Sequence, residues 1–392
     1  MTTSGNCANI VGMYIPRLLE KPIINRIKTD KKAVIIYGPR QAGKTTLVNE
    51  IIKKLKLKTL FINADRREHT EILSSRDLTK IKSLISGFKL LVIDEAQRIP
   101  DIGINLKIMV DNLPDLRIVA TGSSSFELAN RIQESLTGRA WSYYLLPLSF
   151  DELIDYYSKF EISKERLEEI MIFGSYPEVF HYENAKQKQE YLEELIRSYL
   201  YKDVLEIATI KHSEKINQLL QLIAYQIGSA VSTSEISNTL GISREAVDRY
   251  IDLLEKSFVL FRLPGFSRNL RKEVSKMDKI FFYDLGVRNA IINDFKPIKI
   301  RPDKGGIWEN FLILERKKYL NSNRLFFNNY YWRVHTGGEI DYLEEKNGKI
   351  VGYEFKFNEK VSKPPPTWTK YYPEAEYHTI NLNNYLQFIS RF

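Results

Sequence analysis

Cysteine is almost absent from the sequence: Cys7 stands alone among 392 residues. No disulfide can form within the chain, and a zinc site built on several thiolates is excluded. That fits a reducing compartment, and the cytoplasm is the expected location. Also missing is any run of about eighteen consecutive apolar residues, so no membrane-spanning helix and no membrane partner are expected. The stretch MTTSGNCANIVGMYIPR lacks a basic start followed by an apolar core, so secretion is not indicated. No internal repeat or low-complexity tract interrupts the sequence, apart from Pro364 to Pro366.

What is present is a globular composition, 43% hydrophobic and 27% charged, in a chain long enough for two or three domains. The net charge of +9 is uneven, because residues 1 to 58 hold twelve Lys/Arg against three Asp/Glu and the rest is neutral. Lys53, Lys54, Lys56 and Lys58 make up much of that excess. Such lysines complement a helix C-terminus, and a nucleic-acid patch is the other reading of the same residues.

The segment AVIIYGPRQAGKTTLV, Ala33 to Val48, reads as a short apolar strand, a glycine-bearing loop and the start of a helix. It fits G-x-x-x-x-G-K-[ST] at Gly38, Gly43, Lys44 and Thr45. Glycines let successive backbone amides turn toward an anion, and the helix N-terminus adds partial positive charge. The expected nucleotide-binding residues are therefore Gly38, Pro39, Arg40, Gln41, Ala42, Gly43, Lys44, Thr45 and Thr46. Lys44 would reach the β- and γ-phosphates, and the Thr45 hydroxyl would ligate Mg²⁺.

In KLLVIDEAQRIP, the apolar run Leu90 to Ile93 ends in Asp94 and Glu95, which reads as a Walker B strand. Asp94 can hold the Mg²⁺ shell, and Glu95 can orient and deprotonate the attacking water. A third apolar strand, LRIVATGSSS, ends in small hydroxyl residues, where Ser123 is the candidate γ-phosphate sensor. Ligands of open α/β sheets bind at the carboxyl ends of the strands, and all three polar clusters fall there. No N-K-x-D base-reading motif follows in a sensible place, SKMD at Ser275 to Asp278 being a distant echo, so ATP is favoured over GTP. Arg139, in SLTGRAWSYYLLPLSFDEL, is a candidate catalytic arginine acting in cis or from a neighbouring subunit. A plain surface arginine, or one paired with Glu152, is the alternative.

From Glu161 to Gln226 the periodicity turns helical, as expected of a lid or connector. STSEISNTLGISREAVDRYIDLLEKSFVLFRLPGF then gives a helix, a turn at Gly241, a cap at Ser243, a second helix through Lys256 and an apolar segment suited to a wing. The face that would meet a groove carries Arg244, Glu245, Asp248 and Arg249, two charges of each sign, which makes it a poor phosphate binder. Arg268, Arg271 and Lys272 could supplement it.

Near the end, in EIDYLEEKNGKIVGYEFKF, Asn347-Gly348 signals a two-residue hairpin. That loop sets Tyr342 against Tyr353, Asp341 against Glu354 and Glu339 against Lys356. Alternation then puts Glu339, Asp341, Glu354 and Lys356 on one face and Ile340, Tyr342, Tyr353 and Phe355 on the other. Carboxylates and a lysine on adjacent strands suit a magnesium-dependent phosphodiesterase, with Glu309 as a further carboxylate. A solvated face with an ordinary cross-strand ion pair is the plainer account.

Taken together, YIPR (Tyr14 to Arg17), GPRQAGKTTL, VIDEAQRIP, TGSSS, LTGR, GSYPEV, FFYDLGVRNA, WEN, EIDY and EFK resemble a prokaryotic family of AAA-type P-loop ATPases. The C-terminal domain of that family, of unknown function, has a restriction-endonuclease-like core. The resemblance implies an α/β chain: a P-loop NTPase (AAA-like) parallel sheet over 1–150, a helical lid or connector over 151–225, a winged-helix-like segment over 226–275 and a restriction-endonuclease-like domain over 276–392. By the same likeness Glu309, Asp341, Glu354 and Lys356 fall on nuclease-motif positions, although Ile340 stands where a proline is usual. Three functions follow as expectations: an ATP-hydrolysing switch or motor using ATP and Mg²⁺, an ATP-regulated nuclease, or a non-catalytic module that binds nucleic acid or a partner. DNA or RNA is the candidate macromolecular ligand, and oligomerisation stays open.

Overall fold

A computed structural model describes residues 14–66, 69–123, 136–157, 164–200, 213–268, 277–335 and 337–390. Cys7, Ser124, Ser125, Tyr201, Arg271 and Lys272 lie outside the described residues.

The N-terminal part is built on a five-stranded parallel sheet: β1 (Ala33–Tyr37), β2 (Thr59–Asn63), β3 (Leu90–Asp94), β4 (Arg117–Gly122) and β5 (Ala140–Tyr144), in the order β2-β3-β4-β1-β5. Both faces are covered, so the strands are runs of apolar residues with no alternation. Ile35, Ile93 and Ala120 pack on one side; Val34, Ile36, Val92 and Val119 pack on the other against Leu47 and Ile51 of α1 (Lys44–Leu55).

After this sheet the chain becomes helical through α2 (Ala185–Leu195) and α3 (Ser213–Tyr225). A helix-turn-helix follows, α4 (Thr233–Leu240) and α5 (Arg244–Lys256). Its turn is set by Gly241 at φ 63° and by the Ser243 side chain accepting from the Ala246 N–H. Its companion sheet runs β6 (Ala230–Val231), β8 (Asp278–Phe282), β7 (Leu260–Leu263) in space. The strand β8 comes from beyond residue 275, so this three-stranded unit extends past the boundary that the sequence suggests. Part of the charge on this helix is engaged internally: Arg262 binds Asp252 and Glu255 at 2.6 Å each, and Arg244 donates to Thr233 at 3.1 Å.

The remainder comprises α6 (Leu285–Ile291), the long α7 (Lys304–Ser322) and a four-stranded sheet, β9 (Asn328–Arg333), β10 (Glu339–Lys346), β11 (Lys349–Phe355) and β12 (Glu376–Ile380), in the order β12-β11-β10-β9. The hairpin register is the one that Asn347-Gly348 dictates, with Tyr342 opposite Tyr353 and Lys346 opposite Lys349. Between Ile340 and Leu343 the pairing of β10 with β9 shifts register. There the Asp341 carboxylate accepts from the Phe355 N–H at 2.8 Å, in place of a ladder bond.

One glycine fixes how the phosphate loop meets its sheet. Gly38 follows β1, where Leu145 donates its N–H to the Tyr37 carbonyl at 2.7 Å. A Cβ on Gly38 would run into the Leu145 carbonyl oxygen, and backbone cannot swing aside. Gly38→Ala is therefore expected to destabilise the chain by about 1–3 kcal/mol, the usual cost of overpacking, seen as a lower urea midpoint at unchanged slope.

Candidate functional site

The segments that follow β1 and β3 converge on a cavity of about 710 Å³ whose lining includes Gln41, Gly43, Lys44, Thr45, Thr46 and Glu95. Gly43, at φ 91°, turns the chain into α1, whose N-terminus carries no side-chain cap, so its first N–H groups face the loop. Lys44, 5% exposed, donates from Nζ to the carbonyls of Gly38 at 2.9 Å and Pro39 at 3.0 Å. An ammonium held by its own loop is fixed in place at the mouth of the anion cradle.

Asp94 joins the three strand ends. Its Oδ2 accepts from Thr45 at 2.8 Å, and its Oδ1 accepts from the Thr121 hydroxyl of β4. Thr121 in turn accepts from the Glu95 N–H at 3.2 Å. Glu95 has φ 54°, left-handed backbone that a non-glycine residue adopts only when its surroundings impose it. Gln97 accounts for part of that constraint, since its Nε2 donates both to Glu95 and to Ser123 Oγ, the latter at 2.9 Å. The hard oxygens of Thr45 and Asp94 suit Mg²⁺, which keeps most of its shell as water and phosphate. Thr121 was invisible to motif reading because its partner is 27 residues away; its only signal is a hydroxyl next to the expected sensor.

Arg17 is the other residue that the motifs did not assign. Its guanidinium donates to the Ala42 carbonyl at 2.7 Å, to the Leu146 carbonyl and to Glu152 at 3.1 Å, all buried. It thus clamps the phosphate loop to the chain after β5. From the helical connector, the Tyr191 hydroxyl donates to Gln41 Oε1 at 2.7 Å, and Tyr182 and Tyr191 line the cavity with ring centroids 5.9 Å apart.

Arg139 does not join this site. It precedes β5 at the amino end of the sheet, where its carbonyl accepts from Ala33 and its Nε donates to Asp111 at 2.7 Å. A five-residue strand, roughly 16 Å, separates it from the phosphate loop of its own chain. The reading of Arg139 as a catalytic residue in cis is corrected accordingly. Pairing with Glu152 is also absent, because Glu152 holds Arg17.

The C-terminal candidates do come together, around a residue the sequence did not single out. Lys279 of β8, 2% exposed, places Nζ 2.8 Å from Glu309, 2.7 Å from Glu339 and 3.9 Å from Asp341. Beside them Lys356 donates to Glu354 at 2.6 Å. Among the described residues no group of three or more His, Cys, Asp or Glu is disposed to hold a metal ion. Here an ammonium occupies the centre of the carboxylates. One charge does not balance three: burial, opposed by Lys279, pushes Glu309 up to about 8, burial with the Glu339 charge raises Asp341, and burial with the Asp341 charge raises Glu354. Lys279 is raised, its carboxylates outweighing burial.

A stability profile follows from that shift. Glu309 keeps its proton in the folded chain between its ordinary value of 4.5 and about 8, but loses it on unfolding. Folding takes up a proton across this window, so stability falls as pH rises through it, by at most about 1.4 kcal/mol per pH unit. Melting curves from pH 5 to 9 should show the decline, and Glu309→Gln, which mimics the protonated form, should flatten it.

Sequence comparisons match three segments of the chain. Residues 30–154 match the AAA domain, residues 164–297 a domain of unknown function (DUF8612) and residues 304–368 a domain of unknown function (DUF4143). An uncharacterized protein of Mycobacterium tuberculosis is 26% identical over 356 residues, covering 90% of this chain and 76% of the relative. An uncharacterized protein of Methanocaldococcus jannaschii is 29% identical over 365 residues, covering 86% and 77%. Among solved structures, the Walker-type ATPase of Pyrococcus abyssi superposes with a TM-score of 0.49 at 15% identity, over 70% of this chain and 94% of that one. The AAA match and the parallel sheet with its phosphate loop together support an AAA-type, ATP-binding P-loop domain over residues 30–154.

Proposed function

We propose that the chain is a magnesium-dependent ATPase that acts as a switch or motor, with hydrolysis coupled to its C-terminal segments. The observation that carries this reading is the convergence of Lys44, Thr45 and Glu95 on one cavity, with Asp94 hydrogen-bonded to Thr45 behind it. Lys44 and the first N–H groups of α1 bind the phosphates. Glu95 takes the proton of the attacking water, and Gln97, which also donates to the candidate sensor Ser123, holds that carboxylate. Thr45 and Asp94 would hold Mg²⁺, which when bound neutralises charge on the phosphate oxygens. Arg139 enters only if a neighbouring subunit presents it.

Support for coupling lies in α7. From the C-terminal part of the chain, Asn321 donates to the Tyr144 carbonyl at 2.7 Å, Lys318 donates to the Leu148 carbonyl at 2.9 Å and Glu315 accepts from the Phe150 N–H at 2.7 Å. These bonds grip the backbone that leaves the edge strand next to the phosphate loop.

A second reading, a magnesium-dependent nuclease on a restriction-endonuclease-like core, rests on the gathering of Glu309, Asp341, Glu354 and Lys356 on one side of β10 and β11. Metal-dependent cleavage of DNA or RNA that disappears in Asp341→Ala while ATP hydrolysis persists would support it. No cleavage of any substrate by the unaltered chain would end it.

For the ATPase, Lys44→Ala should weaken ATP binding about tenfold or more, consistent with loss of a charge-assisted bond of roughly 1.5–3 kcal/mol. Glu95→Gln should keep ATP affinity while turnover falls about 10²-fold or more. Unchanged ATP affinity in Lys44→Ala, measured calorimetrically, would refute the site.

A further inference from the structure

A second cavity, of about 910 Å³, lies where the N-terminal sheet, the helix-turn-helix unit and the C-terminal part meet. Its walls include Tyr144 of β5, Phe258 after α5, Tyr283 after β8, Lys317 of α7 and the hairpin tip at Lys346. Lys256, Lys317, Arg324 and Lys346 bring four positive charges to the lining against Glu255 and Glu345. Both carboxylates are already engaged, Glu255 by Arg262 at 2.6 Å and Glu345 by Arg268 at 3.5 Å. The lining is electropositive and aromatic.

One group in this lining lacks what its chemistry asks for. Lys317 makes no hydrogen bond or ion pair among the described residues; its ammonium sits 5.0 Å from the Phe261 ring and 5.9 Å from the Tyr283 ring. Burial holds its pKa below the ordinary lysine value, and the charge of Glu255 offsets that only in part. Phe258 is held at φ 57°, a backbone state that a bulky residue takes only under constraint, with its ring 6.3 Å from Tyr144 and 5.7 Å from Tyr283. An anion for Lys317 and a flat ring for the aromatic wall describe one ligand class.

We propose that this cavity binds a nucleotide, with its phosphate on Lys317 and its base against Tyr144, Phe258 and Tyr283. The volume falls within the range of small-molecule sites. The site is separate from the phosphate loop and independent of the ATPase reading, yet it touches that loop's strand: Tyr144 stacks on Tyr37 at 5.7 Å, and Tyr37 immediately precedes Gly38. A free mononucleotide and the 5′-phosphorylated end of a single strand present the same groups.

Calorimetric titration of the full chain with ADP tests the proposal. The unaltered chain is expected to bind two ADP, Lys317→Met and Lys44→Ala one each, and the double variant none. Lys317→Met keeps the side-chain volume and removes a desolvated charge, so its melting temperature should not fall; Lys317→Arg should retain the second site. Two ADP bound by Lys317→Met, or inorganic phosphate binding the Lys44→Ala chain as tightly as ADP does, would overturn the assignment. Two ADP bound by Lys44→Ala would instead count against the phosphate-loop site. Competition by a 5′-phosphorylated pentathymidylate for the Lys317-dependent site identifies a strand end as the source when it displaces ADP at equal concentration, and a free nucleotide when it does not.

Discussion

The backbone from Tyr144 to Phe150 is held from both sides, and the rest of the structure depends on it. Toward the sheet, Leu145 bonds to Tyr37 at 2.7 Å and the Leu146 carbonyl receives Arg17, which also clamps the phosphate loop through Ala42. Away from the sheet, α7 takes the carbonyls of Tyr144 and Leu148 and the N–H of Phe150. This segment would otherwise be an exit loop with buried, unsatisfied polar groups, each costing roughly 1–3 kcal/mol. Satisfying them from a helix about 170 residues further along makes the C-terminal part a structural component of the nucleotide domain.

The charges used for this are themselves buried. Glu315 and Lys318 are 2% and 4% exposed and pair at 2.7 Å, and Lys318 also reaches Ser175 at 3.0 Å. Buried pairs rarely add net stability, because desolvation offsets the Coulomb gain, but losing one partner strands the other at several kcal/mol. Their effect is to favour one docking geometry for α7, since Lys318 donates to Leu148, Ser175 and Glu315, and Glu315 also accepts from the Phe150 N–H.

Much of the nucleotide site was legible in the sequence because its chemistry is local. Lys44 and Thr45 follow the glycines within one loop, and Asp94 and Glu95 end a recognisable apolar strand, so strand-end geometry brings them together without further information. The hairpin register was equally local, fixed by two residues with positive φ, Asn347 at 52° and Gly348 at 79°. Residues that act across the chain were not legible. Arg17, Thr121 and Lys279 owe their positions to partners set by sheet order, and no spacing rule announces an arginine that donates to a carbonyl 129 residues away. Arg139 failed for the converse reason: its sequence position after the third strand says nothing about which end of β5 it occupies, and the parallel register with β1 puts it at the far end.

Lys279 belongs to one sheet by hydrogen bonding and to another by charge. It pairs in β8 with Ala230 and Leu263, yet its ammonium serves Glu309 of α7 and Glu339 and Asp341 of β10. The family matches divide the chain between residues 297 and 304, and this division runs between the lysine and its carboxylates. A fragment cut there would leave a buried carboxylate cluster with its central cation on the other piece. The sequence modules of this chain are thus not its units of cooperative unfolding: helix-turn-helix unit and C-terminal sheet are joined by a shared counter-ion and gain or lose structure together.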